Sequence, residues 1–248
     1  MCNWNNASVL GAAIYSAVRE TPAEVFVIDD ASTDGSLELL YAAERAYGVS
    51  FVQHQRKSQC HVLAARPHIL SLRGQHIVGM GADDELCPGI CLAPMRHPQA
   101  AVVFHAYAVR RPGQPPHAVV PAFVDCETVL NAEQVCQRHL GETMPMETGI
   151  GSAIRHDWQR WLVEHEYERM GPLSDCIGFA TVAALAGAVY VPHVGAIFTE
   201  SAASYGSVER SGERAAQYHD EVRAFLKGSG IDLEVAAAIC HKRAIQWR

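Results

Sequence analysis

Two short acidic stretches carry the side chains best suited to chemistry. The first is Val25–Ser36, with Asp29, Asp30, Ser32 and Asp34, and the second is Ile77–Leu86, with Asp83, Asp84 and Glu85. Each is an apolar run that stops at a pair of carboxylates. Hard divalent cations such as Mg²⁺ or Mn²⁺ take oxygen ligands, often one or two carboxylates with phosphate oxygens and water. A charged carboxylate is also a strong acceptor for an N–H donor. Two such ends can converge on one ligand. The alternative for Asp83 and Asp84 is that they only cap a turn before Glu85-Leu86.

These carboxylates need elements that hold them in place. Unbroken Val, Ile and Phe residues point to strands buried on both faces, as in a parallel sheet. The carboxyl ends of such strands line the edge where open α/β folds bind ligands. Leu10, Ile14 and Val18 recur at helical spacing. Ser36–Tyr47 reads as a helix closed by Gly48, followed by a strand over Val49–Gln53. A helix over Val62–Gly74, with Pro67 inside it, leads to a strand over His76–Met80.

Farther on, Cys87–Met95 predicts a short helix, Ala100–Ala108 a strand, and Arg110–His117 a hairpin loop that returns as a strand over Ala118–Phe123. Cys126–Leu140 predicts a helix, Gly141–Gly151 a loop, Ser152–Arg155 a strand, and Trp158–His165 a helix. Ser174–Gly187 predicts a buried helix and Val189–Val191 a strand. Ile177–Phe198 is long and nearly uncharged, but Gly187, Pro192, His193 and Gly195 interrupt it, so a buried helix and strand are expected, not a membrane span. Ser201–Ser211 reads as a flexible loop, and Gly212–Lys227 and Ile231–Trp247 as two helices that pack on the core or on a second copy.

Composition narrows the function classes. The chain has 248 residues, 49% of them apolar, and a net charge of −7, so a general nucleic-acid surface is not expected. The 8 cysteines form no CxxC pair, and the 13 histidines include no HExxH, which argues against a zinc site and for reduced thiols in a cytoplasmic setting. No signal-peptide pattern opens the chain.

The two acidic stretches resemble the signatures of family 2 glycosyltransferases, whose nucleotide-binding domain has the GT-A fold. The first reads roughly V-D-D-x-S-x-D-x-[ST] in that family, and Val27–Ser36 follows it almost position for position. The second usually reads D-x-D-D, and here it is Gly81-Ala82-Asp83-Asp84. Trp4-Asn5 stands where the family has Tyr-Asn, and Ala64-Ala65-Arg66 matches its A-A-R. Pro67 and Ile69 replace the usual Asn and Gly, and Gly81 replaces the first Asp. The family has an apolar central strand before Tyr-Asn; here only Met1, Cys2 and Asn3 stand there, and loss of that strand would leave its neighbours unpaired.

The resemblance implies an α/β fold, a mixed GT-A sheet flanked by helices, over residues 1–200. Its nucleotide half is 1–98 and its acceptor half 99–200, with 201–248 as a loop and helical appendage. It assigns Asp83 to the metal, Mn²⁺ or Mg²⁺, and Asp84 to support of the loop. Asp30 accepts from the base, with Trp4 beside it or serving as an apolar plug; Asn5, Ser32 and Arg66 lie around the nucleotide. Arg66 is expected near the nucleotide or paired with Asp30 or Asp84, and Asp29 is structural. Asp175 stands at the start of the Ser174–Gly187 helix, where the family has its catalytic base; an ordinary cap is the alternative, and Glu147 and Glu164 are second candidates. His193 is placed where it could approach the metal.

The implied activity is inverting transfer of a sugar from a nucleotide-diphosphate sugar, UDP-linked, to a hydroxyl of a saccharide or lipid-linked glycan. The last would bring the protein to the inner face of the membrane. One alternative is a degenerate, inactive glycosyltransferase that binds or scaffolds. A nucleotidyltransferase is disfavoured because Asn3-Trp4-Asn5-Asn6 is not a Gly-rich basic loop.

Overall fold

The computed structural model describes residues 1–20, 23–58, 61–111, 113–119, 125–141, 149–200, 214–242 and 245. Glu147 and the expected loop over Ser201–Ser211 lie outside them.

The amino-terminal part is a three-stranded parallel sheet in the order β1 (Cys2–Asn3), β2 (Phe26–Asp29), β3 (Ser50–Gln53). Helix α1 (Ala7–Val18) packs Leu10 and Ile14 with Val27 of β2 and with Leu40 of α2 (Ser36–Tyr47). Each fully buried Leu or Ile contributes about 1.5–3 kcal/mol. Gly48 ends α2 at φ 70°, a left-handed cap that suits glycine.

The central strand is short but paired on both edges. Ile28 N–H donates to Met1 O at 2.9 Å and Asp30 N–H to Asn3 O at 2.8 Å. On the other edge, Cys2 N–H donates to Met80 O at 3.1 Å and Ala82 N–H to Cys2 O at 3.0 Å. The expected unpaired neighbours are therefore not found at these positions. Both acidic turns begin level with Met1–Asn3. The parallel bridge between Cys2 and Gly81 also joins this sheet to the larger one.

The larger sheet runs β4 (His76–Val78), β9 (Ser152–Arg155), β6 (Val102–Arg110), β10 (Ala188–Thr199), β5 (Glu85–Leu86). β7 (His117–Val119) pairs with β6, and β8 (Thr128–Leu130) with β10. β4 is antiparallel to β9 and only half-buried, against the expectation of a parallel strand buried on both faces. β10 is far longer than Val189–Val191. It absorbs Pro192, His193 and Gly195 in two register shifts against β6, since a bulge tolerates a residue that cannot donate to the ladder.

Two other helices also differ from expectation. α3 (His61–Ile69) stops well before Gly74, shortly after Pro67, whose nitrogen has no hydrogen to give. β8 precedes α5 (Ala132–Leu140) where apolar spacing predicts one helix, because Asn131 and Gln134 form a capping box that fixes the helix start.

α4 (Leu92–Arg96) covers one face of the large sheet. The other face holds the main core. There α7 (Ser174–Ala186), apolar on all sides, packs with Phe104, Ile154 and Tyr190. α6 (His156–Glu164) leads through a 3-10 turn, Tyr167–Leu173, into α7. α8 (Ala215–Gly228) and α9 (Leu233–His241) bury Val222, Leu226, Val235 and Ile239 in this same core. Among the described residues, no helix is long and apolar enough to cross a membrane.

Candidate active site

The first acidic turn is a closed hydrogen-bond system. Asp29 is fully buried and accepts from Asn3 Nδ2 at 2.7 Å, Ser32 Oγ at 2.6 Å and Ser32 N–H at 3.0 Å. Ser32 Oγ in turn accepts from Asn5 N–H at 2.9 Å, and Asn5 Oδ1 accepts from Thr33 N–H at 2.7 Å. Asn5 holds φ 53°, a conformation Asn tolerates better than most residues. Asp34 accepts from Ala7 N–H at 2.8 Å and so caps α1, while also binding Ser36 at the start of α2. The Ser36 hydroxyl is the main cause that keeps the Asp34 carboxyl below its usual range. Asn5 and Ser32 thus shape the turn from within.

Asp30, next to this system, points away from it. His54 Nδ1 lies 3.0 Å from Asp30 Oδ1, and Ser58 N–H donates to both carboxylate oxygens at 3.0 and 2.9 Å. Trp4 is 44% exposed, and the Lys57 ammonium sits 2.9 Å from its ring centroid. Trp4 and Asp30 are therefore both contacted by one short segment, Lys57-Ser58. Arg66 does not pair with Asp30 or Asp84. It forms an ion pair with the buried Glu168 of the 3-10 turn, because α3 packs on that turn.

The second turn has a different balance. Asp84 is buried, and it accepts from Gly81 N–H at 3.1 Å and from Thr199 N–H at 3.0 Å at the end of β10. It holds the loop against the sheet. Burial, then the neighbouring Asp83 charge, pushes its carboxyl up to about 7. Burial also raises Asp83, partly offset by its own backbone N–H and by His61. The Asp83 carboxylate folds back over Gly81, where a Cβ would stand 2.6 Å from Oδ1. An acidic side chain at 81 would thus displace both carboxylates.

Asp175 opens α7 as expected and is half-buried. It accepts from Cys176 N–H at 2.8 Å, but it lies inside the first turn of α7, whose cap position is Leu173, with no side-chain cap bond. Its carboxylate lies directly on Gly149, where any side chain would collide with Oδ2. Glu164 sits exposed at the end of α6. His193 contacts the Pro88 carbonyl at 3.2 Å from the bulge of β10, so its place is beside α4 and not at Asp83.

His61 connects the two halves, and sequence reading missed it. Desolvation holds its imidazole below the usual value, while the charges of Asp175 and Asp83 pull it upward. The residue is nonetheless accessible to solvent. Asp83, from the second acidic turn, and Asp175, from the start of α7, are thus both near enough for their charges to act on this histidine. His54 and His68 were missed as well. Lone histidines carry no motif, and only the packing of β3 and α3 brings them to Asp30.

A divalent cation fits this turn through one direct protein ligand. Asp83 offers a carboxylate oxygen whose burial disfavours the bare charge, which a cation would offset. Asp84 spends its oxygens on backbone donors. Among the described residues no group of three His, Cys, Asp or Glu side chains could hold a metal by itself. Phosphate oxygens and water would complete the shell.

Solved structures of the TarS protein of S. aureus share the fold. Its 1–349 fragment matches at a TM-score of 0.72, with 11% identity over 98% of this chain and 69% of that one. The same fragment in complex with UDP-GlcNAc matches at 0.72 with 13% identity, covering 96% and 67% of the two chains, and in complex with UDP at 0.70 with 11% identity, covering 97% and 68%. No curated protein matches the chain. The fold is GT-A-like, a mixed sheet flanked by helices. The Glycosyl transferase family 2 pattern matches residues 1–160, and on that match this chain belongs to glycosyl transferase family 2.

Proposed function

We propose that the protein transfers a sugar from a UDP-sugar to an acceptor hydroxyl with inversion at the anomeric carbon. The observation that supports this reading is the second acidic turn, where Asp84 is spent on the Gly81 and Thr199 N–H groups beside the Cys2–Gly81 bridge while the Asp83 carboxylate is left for a ligand, and the charges of Asp83 and Asp175 both act on His61. Asp30 and Trp4 take the base, Asp83 takes the metal, and Arg66 lies at the nucleotide side with its guanidinium anchored on Glu168.

Asp175 is suited to the base role because the first turn of α7 fixes it and Gly149 leaves its carboxylate room. It takes the proton of the acceptor hydroxyl. That oxygen forms a bond to the anomeric carbon as the bond to the diphosphate oxygen breaks, and the electron pair leaves with UDP. A cation held by Asp83, Mn²⁺ or Mg²⁺, neutralises charge on the departing diphosphate when bound. The acceptor class is a saccharide or lipid-linked glycan, and the latter would place the protein at a membrane face.

Calorimetric titration with UDP, with and without Mn²⁺, tests the donor site. Asp175→Asn is expected to leave UDP binding intact and to lower turnover about a thousandfold, within the usual range for a lost general base. Proton NMR of the first product reads the anomeric configuration, and retention would defeat the inverting reading. The second reading is a degenerate binding module, favoured by Gly81 and by the Lys57-Ser58 contacts on Trp4 and Asp30. Failure of the folded protein to bind UDP or GDP would put it in front.

A further inference from the structure

The Asp30 carboxylate is held from two sides. His54 Nδ1 lies 3.0 Å from Oδ1, and Ser58 N–H spans both oxygens. Behind His54, His68 of α3 brings Nε2 to 3.1 Å from His54 Nε2. The two rings are 5.4 Å apart and tilted by 35°, and His68 packs 5.9 Å from Phe26 of β2. The chain of contacts thus joins β2, the end of β3 and α3.

Chemistry dictates its direction. An ionised carboxylate only accepts, so His54 Nδ1 must carry the hydrogen. A neutral ring then leaves His54 Nε2 as a lone pair. With His54 neutral, the hydrogen of the second contact comes from His68 Nε2. Burial, and then the neighbouring His54, lowers the His68 pKa, which favours a neutral ring there.

Resting on the reading of Asp30 as the acceptor for the nucleotide base, we propose that His54 is a positioning residue of the base subsite. His68 fixes its tautomer, so that Asp30 presents one fixed acceptor direction to a nucleobase. Asp30 Oδ1 already receives two donors, while Oδ2 receives only the Ser58 N–H. That leaves a lone pair on Oδ2 to accept from a base N–H. Uracil N3 and guanine N1 carry a hydrogen for it. Cytosine and adenine present a lone pair at the matching edge. A freely turning carboxylate could still accept from their amino groups. A carboxylate clamped by His54 cannot turn, so the clamp sharpens selection for imino N–H bases.

The test is calorimetric titration of the wild type, His54→Ala, His54→Asn and His68→Ala with UDP and CDP in the presence of Mn²⁺. His54→Ala is expected to weaken UDP about tenfold and to narrow the UDP-to-CDP ratio, the usual worth of a charge-assisted hydrogen bond. His54→Asn places an amide N–H where Nδ1–H stood and should recover most of that ratio. His68→Ala should lose about two- to fivefold. Nitrogen-15 imidazole spectra of the nucleotide-free wild type should show His54 as the Nδ1–H and His68 as the Nε2–H tautomer.

UDP binding by His54→Ala with an unchanged UDP-to-CDP ratio would overturn the proposal and leave the base subsite standing. So would a His54 found as the Nε2–H tautomer. Failure of the folded wild type to bind either nucleotide would remove the base subsite itself, and the proposal with it.

Discussion

The two acidic turns look alike in sequence and differ in how their charge is balanced. In the first, Asp29, Asp30 and Asp34 each receive at least three hydrogen bonds from named donors. Asp34 accordingly sits below the usual carboxylate range. In the second, burial raises both Asp83 and Asp84, and Asp83 adds to the rise of its neighbour. In the first turn the protein's own donors meet the carboxylates, save one lone pair of Asp30 Oδ2. The other holds charge that a ligand cation would relieve. Perturbed carboxylates in a cleft mark function more often than structure.

The largest expected contrast is in pH dependence of the metal-free protein. The folded Asp84 pKa, about 7, lies above the ordinary 3.8 of an aspartate, so the folded chain holds this proton more tightly. Its contribution is present at low pH and is lost as pH rises from about 4 to 7, amounting to about 4 kcal/mol at most. Asp34 works in the opposite sense: its stabilisation is present above the unfolded carboxylate pKa and fades as pH falls below it. Urea unfolding across pH 4–8 should show a slope that Asp84→Asn flattens. A slope unchanged in that variant would break the comparison.

Next in size is the loss of a closed network. Asp29→Ala should cost about 3 kcal/mol in urea unfolding, because Asn3 and Ser32 lose a buried acceptor. Asp83→Asn should cost nothing at neutral pH without metal. Equal destabilisation by the two would mean that both turns are structural.

Metal dependence separates the same pair by function. Asp83→Ala should weaken UDP at saturating Mn²⁺ about a hundredfold, or about 2.7 kcal/mol. Asp34→Asn should retain the Mn²⁺ effect on UDP affinity. The smallest effect concerns Gly81. Gly81→Asp adds a third carboxylate where Asp83 and Asp84 already crowd the Cβ position, so the metal-free melting temperature should fall by a few degrees. Mn²⁺ should restore it, and a fall that Mn²⁺ leaves unchanged would argue against a cation site at this turn.

Much of the fold is legible from local pattern. The apolar runs before Asp29 and before Asp83, the stripe of Leu10 and Ile14, and Gly48 as a helix stop are short-range signals, and the corresponding elements form. The length of β10 is not legible, since Pro192 and Gly195 read as breaks and only pairing with β6 carries the strand across them. The start of α5 has a local cause, the Asn131–Gln134 capping box, which apolar spacing alone does not register.

By itself the sequence determined which carboxylates stand at strand ends and that Asp175 opens an apolar helix, because both follow from residue order along one element. Tertiary structure decided their company. It set Arg66 on Glu168, His54 and Ser58 on Asp30, and His61 within the fields of Asp83 and Asp175. It also decided that Met1–Asn3 are paired on both edges, because β2 and the Gly81 turn close around them. Such contacts join residues far apart in the chain, and local periodicity holds no information about them.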